Sequence, residues 1–327
     1  MSNNSQVKIA AVIYNPIKVD LDALREAVTS EAVAAGWGET MWLETSVEDV
    51  GQGVTKEALD RGADLIIVAG GDGTVRAVAE AVRGSDTAVA LVPSGTGNLL
   101  ARNLKLVLDD MPLSVRSAFT GTDRHIDLGM IDIERDDKSR ERHSFVVMAG
   151  MGIDAKMIKN TDEDLKAKAG WAAYVDAIVK SLRDPDELHL NFQLDDGKQK
   201  RATVHTLIVG NCGSLPGKIV LMPDAVVDDG VFDLMMMRPK NAFGWLRVWF
   251  EVAWTNGVVR RTKAGKALAA KPRNSGLHYE TGTRFTARLS RPEEIELDGD
   301  GFGAATAFKA WLEPGALTVR VPADAAS

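Results

Sequence analysis

Short apolar runs alternate, over the first 125 residues, with stretches in which apolar residues recur every three or four positions. The apolar runs predict buried strands at residues 8–14, 36–44, 65–69 and 88–92. The helical spacing predicts helices at residues 21–35, 55–61 and 75–82. Apolar strands that alternate with helices are typical of a parallel sheet covered by helices. Residues 1–125 are therefore predicted to form an α/β domain.

From about residue 125 the pattern changes to short strands separated by polar turns. The predicted strands lie at residues 126–133, 144–149, 188–194, 203–209, 231–237, 283–289, 306–312 and 317–321. Asp136 to Ser139 and Asp195 to Gly197 contain the residues that favour tight turns between such strands. We therefore expect residues 126–311 to form an antiparallel β-sandwich domain.

Two segments of helical spacing interrupt these strands, at residues 164–182 and 242–259. The second carries Trp245, Trp249 and Trp254, an aromatic face that is more typical of a core helix than of a membrane anchor. Six Lys and Arg residues and no acidic residue follow between residues 260 and 273. Aromatic residues beside a basic cluster suit an anionic lipid surface, and a solvated loop explains the cluster equally well. Both interpretations stay open.

The composition places the chain among globular proteins. Its 327 residues are enough for two domains, and 45% hydrophobic and 26% charged residues are ordinary values. The chain has one cysteine and no leader-like start, which predicts a cytoplasmic protein. It has no apolar run of about 18 residues, so any membrane contact is expected to be peripheral. A net charge of −7 argues against a nucleic-acid partner.

Two glycine-rich loops, Gly70 to Thr74 and Pro93 to Asn98, are the most informative part of the sequence. Each follows a predicted buried strand and precedes a helical stretch, so both should lie at the same edge of the parallel sheet. Glycine lets backbone amides approach an anion closely, and phosphate is the natural guest. The usual GxGxxG after the first strand is missing, which argues against a dinucleotide-dependent dehydrogenase.

Asp72, inside the first loop, is unfavourable beside phosphate unless a divalent metal or a hydroxyl proton lies between them. Its presence therefore suggests phosphoryl transfer. The alternative for this loop is a tight turn with a capping aspartate.

These loops and three later motifs resemble, in order, the diacylglycerol kinase catalytic family, which includes bacterial lipid kinases and sphingosine kinases. The later motifs are Gly150–Ala155, Pro223–Gly230 and Asp298–Asp300. The resemblance covers nearly the whole chain. It implies an ATP-dependent lipid kinase with an NAD kinase-like α/β ATP-binding domain, a β-sandwich for the lipid substrate, and residues 312–327 returning to the first domain.

Carried over residue by residue, the resemblance implies two ligand sets. The ATP set is Asn15, Thr45, Gly70, Gly71, Asp72, Gly73, Thr74, Gly95, Thr96 and Asn98. The second set would hold a structural Mg²⁺ through the Asp229 carboxylate and the backbone carbonyls of Val226 and Val231, hard oxygen ligands that suit this ion. Without the resemblance, Asp228-Asp229-Gly230 is more typical of an ordinary hairpin turn.

The resemblance also implies three catalytic carboxylates, Asp300, Asp72 and Asp127. Asp300 stands where bacterial relatives usually carry the Glu that acts as general base. An Asp side chain is one methylene shorter and reaches roughly 1.5 Å less far from the same backbone. A base misplaced by about 1 Å can lower the rate a hundredfold, so a backbone shift, a closer lipid headgroup or slow turnover is expected.

Two other functions stay open. NAD kinase has a similar glycine loop, although the Pro93–Asn98 loop and the Asp-Asp-Gly turn fit lipid kinases better. A catalytically weak lipid-binding or regulatory protein is the second, supported by Asp300 alone. The sequence does not specify the lipid, and an exposed sheet edge would allow a homodimer.

Overall fold

The computed structural model describes residues 7–152, 187–216, 219–238 and 276–323. The chain divides into two compact units, one from residues 1–128 and 314–327 and one from residues 129–313. The predicted helices at 164–182 and 242–259, and the basic run after the second, lie outside the described residues.

Strands and helices alternate in the first unit. The elements are β1 (Ala10–Tyr14), α1 (Leu21–Ala34), β2 (Met41–Glu44), α2 (Gln52–Asp60), β3 (Leu65–Gly70), α3 (Asp72–Val82), β4 (Ala88–Pro93), α4 (Leu99–Asn103) and α5 (Met111–Thr120). Next comes β5 (Thr122–Glu134), which continues into the second unit.

The second unit consists of strands in its described part. They are β6 (Arg140–Phe145), β7 (Met148–Met151), β8 (Leu188–Leu194), β9 (Lys200–Val204), β10 (Thr206–Gly210), β11 (Ser214–Leu215), β12 (Ile219–Val220), β13 (Phe232–Met237), β14 (Leu277–Gly282), β15 (Arg284–Leu297) and β16 (Asp300–Val321), whose last residues belong to the first unit.

The first unit is built on a parallel sheet in the order β2-β1-β3-β4, with the end of β16 added beside β4. β1 and β3 are buried along their whole length, because helices cover both faces of a parallel sheet. α1 packs its buried Leu24 and Val28 into a core with alternate residues of β1, β3 and β4. The α/β class expected for this part of the chain is confirmed.

Antiparallel pairing dominates the second unit. β14, β13, β10, β7 and β15 follow one another, and β15 also pairs with β8 and β16. Phe145, Phe232 and Phe285 are among its fully buried side chains. The β-sandwich class is confirmed, and the Asp195–Gly197 turn joins β8 to β9 as predicted.

Three strands differ from the predicted ones. Residues 36–40 precede β2 because Gly36 (φ 73°) and Trp37 donate backbone hydrogen bonds to the last turn of α1. The predicted strand at 144–149 is interrupted at Val146 and Val147, whose N–H groups donate to Asp298 instead of to a neighbouring strand. The two predicted strands after residue 305 form the single strand β16. Among the described residues, no helix is long and apolar enough to span a membrane.

Candidate active site

The loops after the first four strands meet at the carboxyl edge of the parallel sheet. Thr45 N donates to Tyr14 O and Asn15 N donates to Ala69 O, both at 2.9 Å. Ser94 N donates to Gly70 O at 3.3 Å. Ligands of open α/β sheets bind outside this edge. The structure therefore brings together the residues proposed for ATP, which are Asn15, Thr45, the Gly70–Thr74 loop, Gly95, Thr96 and Asn98.

The two glycine loops pack directly against each other. A methyl group on Gly95 would lie 2.9 Å from the Gly71 Cα, and a methyl group on Gly70 would lie 2.8 Å from the Thr74 Cβ. Glycine is required here by close approach, since the backbone φ angles of these residues lie outside the left-handed region. Together the two loops form one continuous backbone surface at the ends of β3 and β4, which we call the ledge.

Asn98 closes the second loop through its side chain. Its backbone is left-handed (φ 47°, ψ 47°), a conformation that Asn tolerates better than most residues. Its Oδ1 accepts from Gly95 N at 3.0 Å, and its Nδ2 donates to Gly95 O at 2.8 Å. The amide thus fixes the loop in the shape that packs on Gly71, and it does so at the start of α4.

Asp72 joins the two loops. It is the first residue of α3, where the helix dipole favours a carboxylate. Its Oδ1 accepts from Leu99 N, at the start of α4, at 2.5 Å. Asp72 is therefore in part the capping aspartate of the alternative interpretation, but it accepts from the start of α4 and not from its own helix α3. This contact holds the two glycine-rich loops together. Asp72 therefore has a structural role, whether or not it also has a chemical one.

Lys18 is a residue that sequence reasoning missed. A methyl group on Gly71 would lie 2.8 Å from Lys18 Nζ, so the ammonium group lies beside the first glycine loop. Lys18 N donates to Asn15 O at 3.0 Å, which closes a turn after β1. An ammonium group next to backbone amides and two helix N-termini makes this edge favourable for an anion. The sequence feature that could have pointed to Lys18 is its position in the loop after β1, at the carboxyl edge of the parallel sheet.

The remaining side chains of the ATP set differ in their surroundings. Asn15 Oδ1 accepts from Ile17 N at 3.0 Å, and the buried Thr45 hydroxyl donates to Tyr14 O at 3.3 Å. Thr74 is buried beneath its loop, whereas Thr96 is exposed at the tip of the second loop. Thr96 is thus the hydroxyl of this set most open to a ligand.

Asp127 lies on β5 and is 2% exposed. Its Oδ1 accepts from Gly315 N at 2.8 Å, and Gly315 has φ 62°. The carboxylate therefore fixes the bend through which β16 enters the first unit. This contact gives Asp127 a structural role beside the catalytic role that the resemblance implies.

Asp298 and Asp300 lie on the turn between β15 and β16 in the second unit. Asp298 is 3% exposed, and its carboxylate accepts from the N–H groups of Val146, Val147 and Met148 at 2.8, 2.8 and 2.9 Å. Asp298 (φ 51°) and Gly299 (φ 92°) are both left-handed. Asp300 follows them, exposed and paired with Leu297. Asp298 thus anchors the turn that presents the Asp300 carboxylate.

The proposed Mg²⁺ residues lie on the turn before β13. Asp229 is exposed, and its Oδ1 accepts from Val231 N at 3.2 Å. No group of three or more His, Cys, Asp or Glu side chains arranged for a metal occurs in the described ranges. The resemblance, however, uses one carboxylate and two carbonyls, and this donor set is chemically suited to Mg²⁺.

Asp233, three residues after Gly230, shows that negative charge is crowded here. Burial, together with the negative charges of Asp229 and Asp224, raises its pKa to about 6. A divalent cation bound at Asp229 would offset this repulsion. The electrostatics therefore fit the ion that the resemblance implies.

Two family models match the chain. Residues 10–131 match the diacylglycerol kinase catalytic domain, and residues 146–267 match the YegS C-terminal NAD kinase beta sandwich-like domain. A Pseudomonas aeruginosa protein named "Probable lipid kinase YegS-like" is 31% identical over 277 residues, which cover 83% of this chain and 80% of that protein. A Bacillus subtilis diacylglycerol kinase is 28% identical over 303 residues and 90% of each chain.

Solved structures share the fold. A diacylglycerol kinase from Bacillus anthracis superposes with a TM-score of 0.63 at 17% identity, over 96% of each chain. An NAD kinase from Archaeoglobus fulgidus superposes with a TM-score of 0.50 at 10% identity, over 97% of this chain and 95% of that one. At these identities the likeness concerns the fold alone.

Proposed function

Because the chain belongs to the diacylglycerol kinase catalytic family, we propose that it transfers the γ-phosphoryl group of ATP to the hydroxyl group of a lipid. The observation that carries the proposal is the ledge formed by the two glycine loops. Gly95 and Gly71 are in close contact, and Lys18 adds an ammonium group beside them. This arrangement is suited to the phosphates of ATP.

The residues of the first unit would bind and orient ATP. Backbone amides of the Gly70–Thr74 and Gly95–Asn98 loops would donate to phosphate oxygens, with the Thr96 hydroxyl and the Lys18 ammonium group beside them. Mg²⁺, when bound, would neutralise charge that develops on the phosphates. Asp72 and Asp127 would hold metal, water or the substrate hydroxyl, in addition to their contacts with Leu99 and Gly315.

Asp300 would accept the proton of the lipid hydroxyl as its oxygen attacks the γ-phosphorus, while the bond to the leaving ADP oxygen breaks. The Asp298 anchor supports this role, since it fixes the backbone immediately before Asp300. The shorter side chain predicts that Asp300→Glu alters the rate without abolishing it. Asp300→Asn keeps the shape, removes the base and should lower turnover by about 10²–10⁴-fold.

The direct experiment incubates the protein with Mg²⁺ and labelled ATP in the presence of diacylglycerol, sphingosine or phosphatidylglycerol, and separates the products by thin-layer chromatography. A labelled lipid supports the proposal and identifies the acceptor. A parallel incubation with ATP and NAD tests whether the protein is instead an NAD kinase, an enzyme of the same fold. NADP formation without a labelled lipid would overturn the proposal. ATP binding with neither product would favour a lipid-binding protein.

Asp72 can be tested with a matched pair of variants. Asp72→Asn keeps an oxygen that can accept from Leu99 N, whereas Asp72→Ala removes the acceptor. If Asp72 has a chemical role, both variants lose turnover while only Asp72→Ala also loses stability. Wild-type turnover in Asp72→Asn would leave the carboxylate with the structural role alone.

A further inference from the structure

Arg102 of α4 holds the second glycine loop by one of its carbonyl groups. Its Nε donates to Gly97 O at 2.6 Å, a short hydrogen bond of the kind that charged donors make. Its backbone N donates to Asn98 O at 2.9 Å, which joins the loop to the first turn of α4. The guanidinium group therefore lies directly beside the loop proposed for the phosphates of ATP.

Gly97 lies between Arg102 and the carboxylate of Asp72. A methyl group on Gly97 would collide with Asp72 Oδ2, so the carboxylate packs against this residue. On the other loop, Lys18 Nζ lies beside Gly71. The charges of Asp72 and Lys18 cancel, and Arg102 therefore gives these three side chains a net positive charge. A positive charge at the ledge favours a polyphosphate ligand.

The two Nη groups of Arg102 are available to a ligand. Within the described ranges of the chain, Nε bonds to Gly97 O and neither Nη group has a protein acceptor. Arg102 is half-buried, and its Nη groups are open to solvent. Each Nη group carries two N–H donors, and the edge that they form can bind two oxygens of a phosphate at once. An anchored guanidinium group thus presents its unused edge at the ledge.

We propose that Arg102 is a phosphate-binding residue of the ATP site, in which Nε holds the Gly97 carbonyl and the Nη groups donate to the terminal phosphates. The inference rests on the proposed function, because it requires ATP at the ledge. The terminal phosphates are assigned because Gly97 touches Asp72, the carboxylate proposed to hold metal, water or the substrate hydroxyl. Since the Gly97 contact fixes the guanidinium group before ATP binds, little side-chain freedom is lost on binding.

Two variants of Arg102 separate the loop contact from the phosphate contact. Arg102→Gln places an amide N–H group at the position of Nε, because both nitrogens are bonded to Cδ, and it removes the Nη groups and the charge. Arg102→Met has a similar length and removes the Gly97 contact as well. We expect both variants to bind ATP about 10- to 100-fold more weakly in calorimetric titration with Mg²⁺. Only Arg102→Met should also unfold at a lower urea concentration than wild type.

AMP and a second arginine provide the controls. AMP lacks the terminal phosphates, so Arg102→Gln should bind it within about twofold of the wild-type affinity. Arg61 is an exposed cation at the end of α2, directly before β3 and hence at the opposite edge of the parallel sheet. Arg61→Gln should therefore bind ATP within about twofold of the wild-type affinity.

Two results with these variants would overturn the inference. Wild-type ATP affinity in Arg102→Gln would leave Arg102 with the loop contact alone. Equal losses of ATP and AMP affinity would mean that Arg102 shapes the site without touching the terminal phosphates. Failure of the proposed function gives a different result. A wild-type protein that binds no ATP removes both proposals, whereas ATP binding that depends on Arg102, without any labelled lipid, supports the phosphate contact and not lipid phosphorylation.

Discussion

Gly95→Ala tests whether the two glycine loops depend on backbone contact. The added methyl group would lie 2.9 Å from the Gly71 Cα, and unbonded carbon atoms pack at about 3.5–4.0 Å. One loop must therefore move by roughly 0.6 Å or more, because a backbone Cα cannot rotate away. We expect the free energy of unfolding to fall by about 1–3 kcal/mol. ATP binding should weaken as well, since the amides no longer converge on the same phosphates.

Gly71→Ala is the matched comparison. Its methyl group would meet Lys18 Nζ at 2.8 Å, the far end of a flexible side chain that can move aside. Its effect on unfolding should therefore stay within about 0.5 kcal/mol. Urea unfolding of both variants, with calorimetric titration of ATP, makes the comparison. A stability loss in Gly71→Ala equal to or larger than that in Gly95→Ala would refute the direct packing of the loops.

Three further changes test the surroundings of the site. Lys18→Gln should weaken ATP binding by about 10- to 100-fold in calorimetric titration, with Lys56→Gln unchanged, because a charged donor beside the phosphates is lost. Asp298→Ala leaves three buried N–H groups without their acceptor and should lower the free energy of unfolding by about 3 kcal/mol or more in urea. Asp233→Asn tests a pH dependence of stability. The pKa of the Asp233 carboxyl is about 6 in the folded protein against an ordinary value of 3.8, so the folded state binds the proton more tightly than the unfolded state does. The resulting stabilisation is complete below about pH 4 and is lost as the pH rises through 6. The variant should therefore be more stable than wild type by about 3 kcal/mol at pH 8 and no more stable near pH 3.5 in chelator-treated urea unfolding, and a difference independent of pH would contradict this cause.

The sequence was sufficient for the parts of the fold that local pattern determines. The buried runs of β3 and β4, and the glycine loops after them, are continuous segments, and their shared edge follows from parallel pairing. The contact of Asp72 with Leu99 could not be predicted, because it joins residues 27 positions apart. The position of Lys18 depends in the same way on how its turn folds back over Gly71.

Cations that share one face of the second unit's sheet could not be recognised in the sequence for a related reason. β6 carries Arg140 and Arg142, β15 carries Arg284 and Arg288, and β9 and β16 contribute Arg201 and Lys309. Only the registers of the strands place Arg201, Arg288 and Lys309 on one surface. The sequence did draw attention to the basic run after residue 259, which lies outside the described residues.

The pairing of Val319 and Arg320 with β4 also has a consequence for synthesis of the chain. During translation, residues 1–128 emerge while the strand that covers the edge of β4 is still about 190 residues away. At 5–20 residues per second this interval lasts roughly 10–40 s. For that time β4 presents unpaired backbone groups, the kind of edge on which other chains add and aggregate. The parallel sheet is thus completed last, by the strand most distant from it in the sequence. We expect the nascent chain to depend on chaperones, and a variant truncated before residue 314 to aggregate.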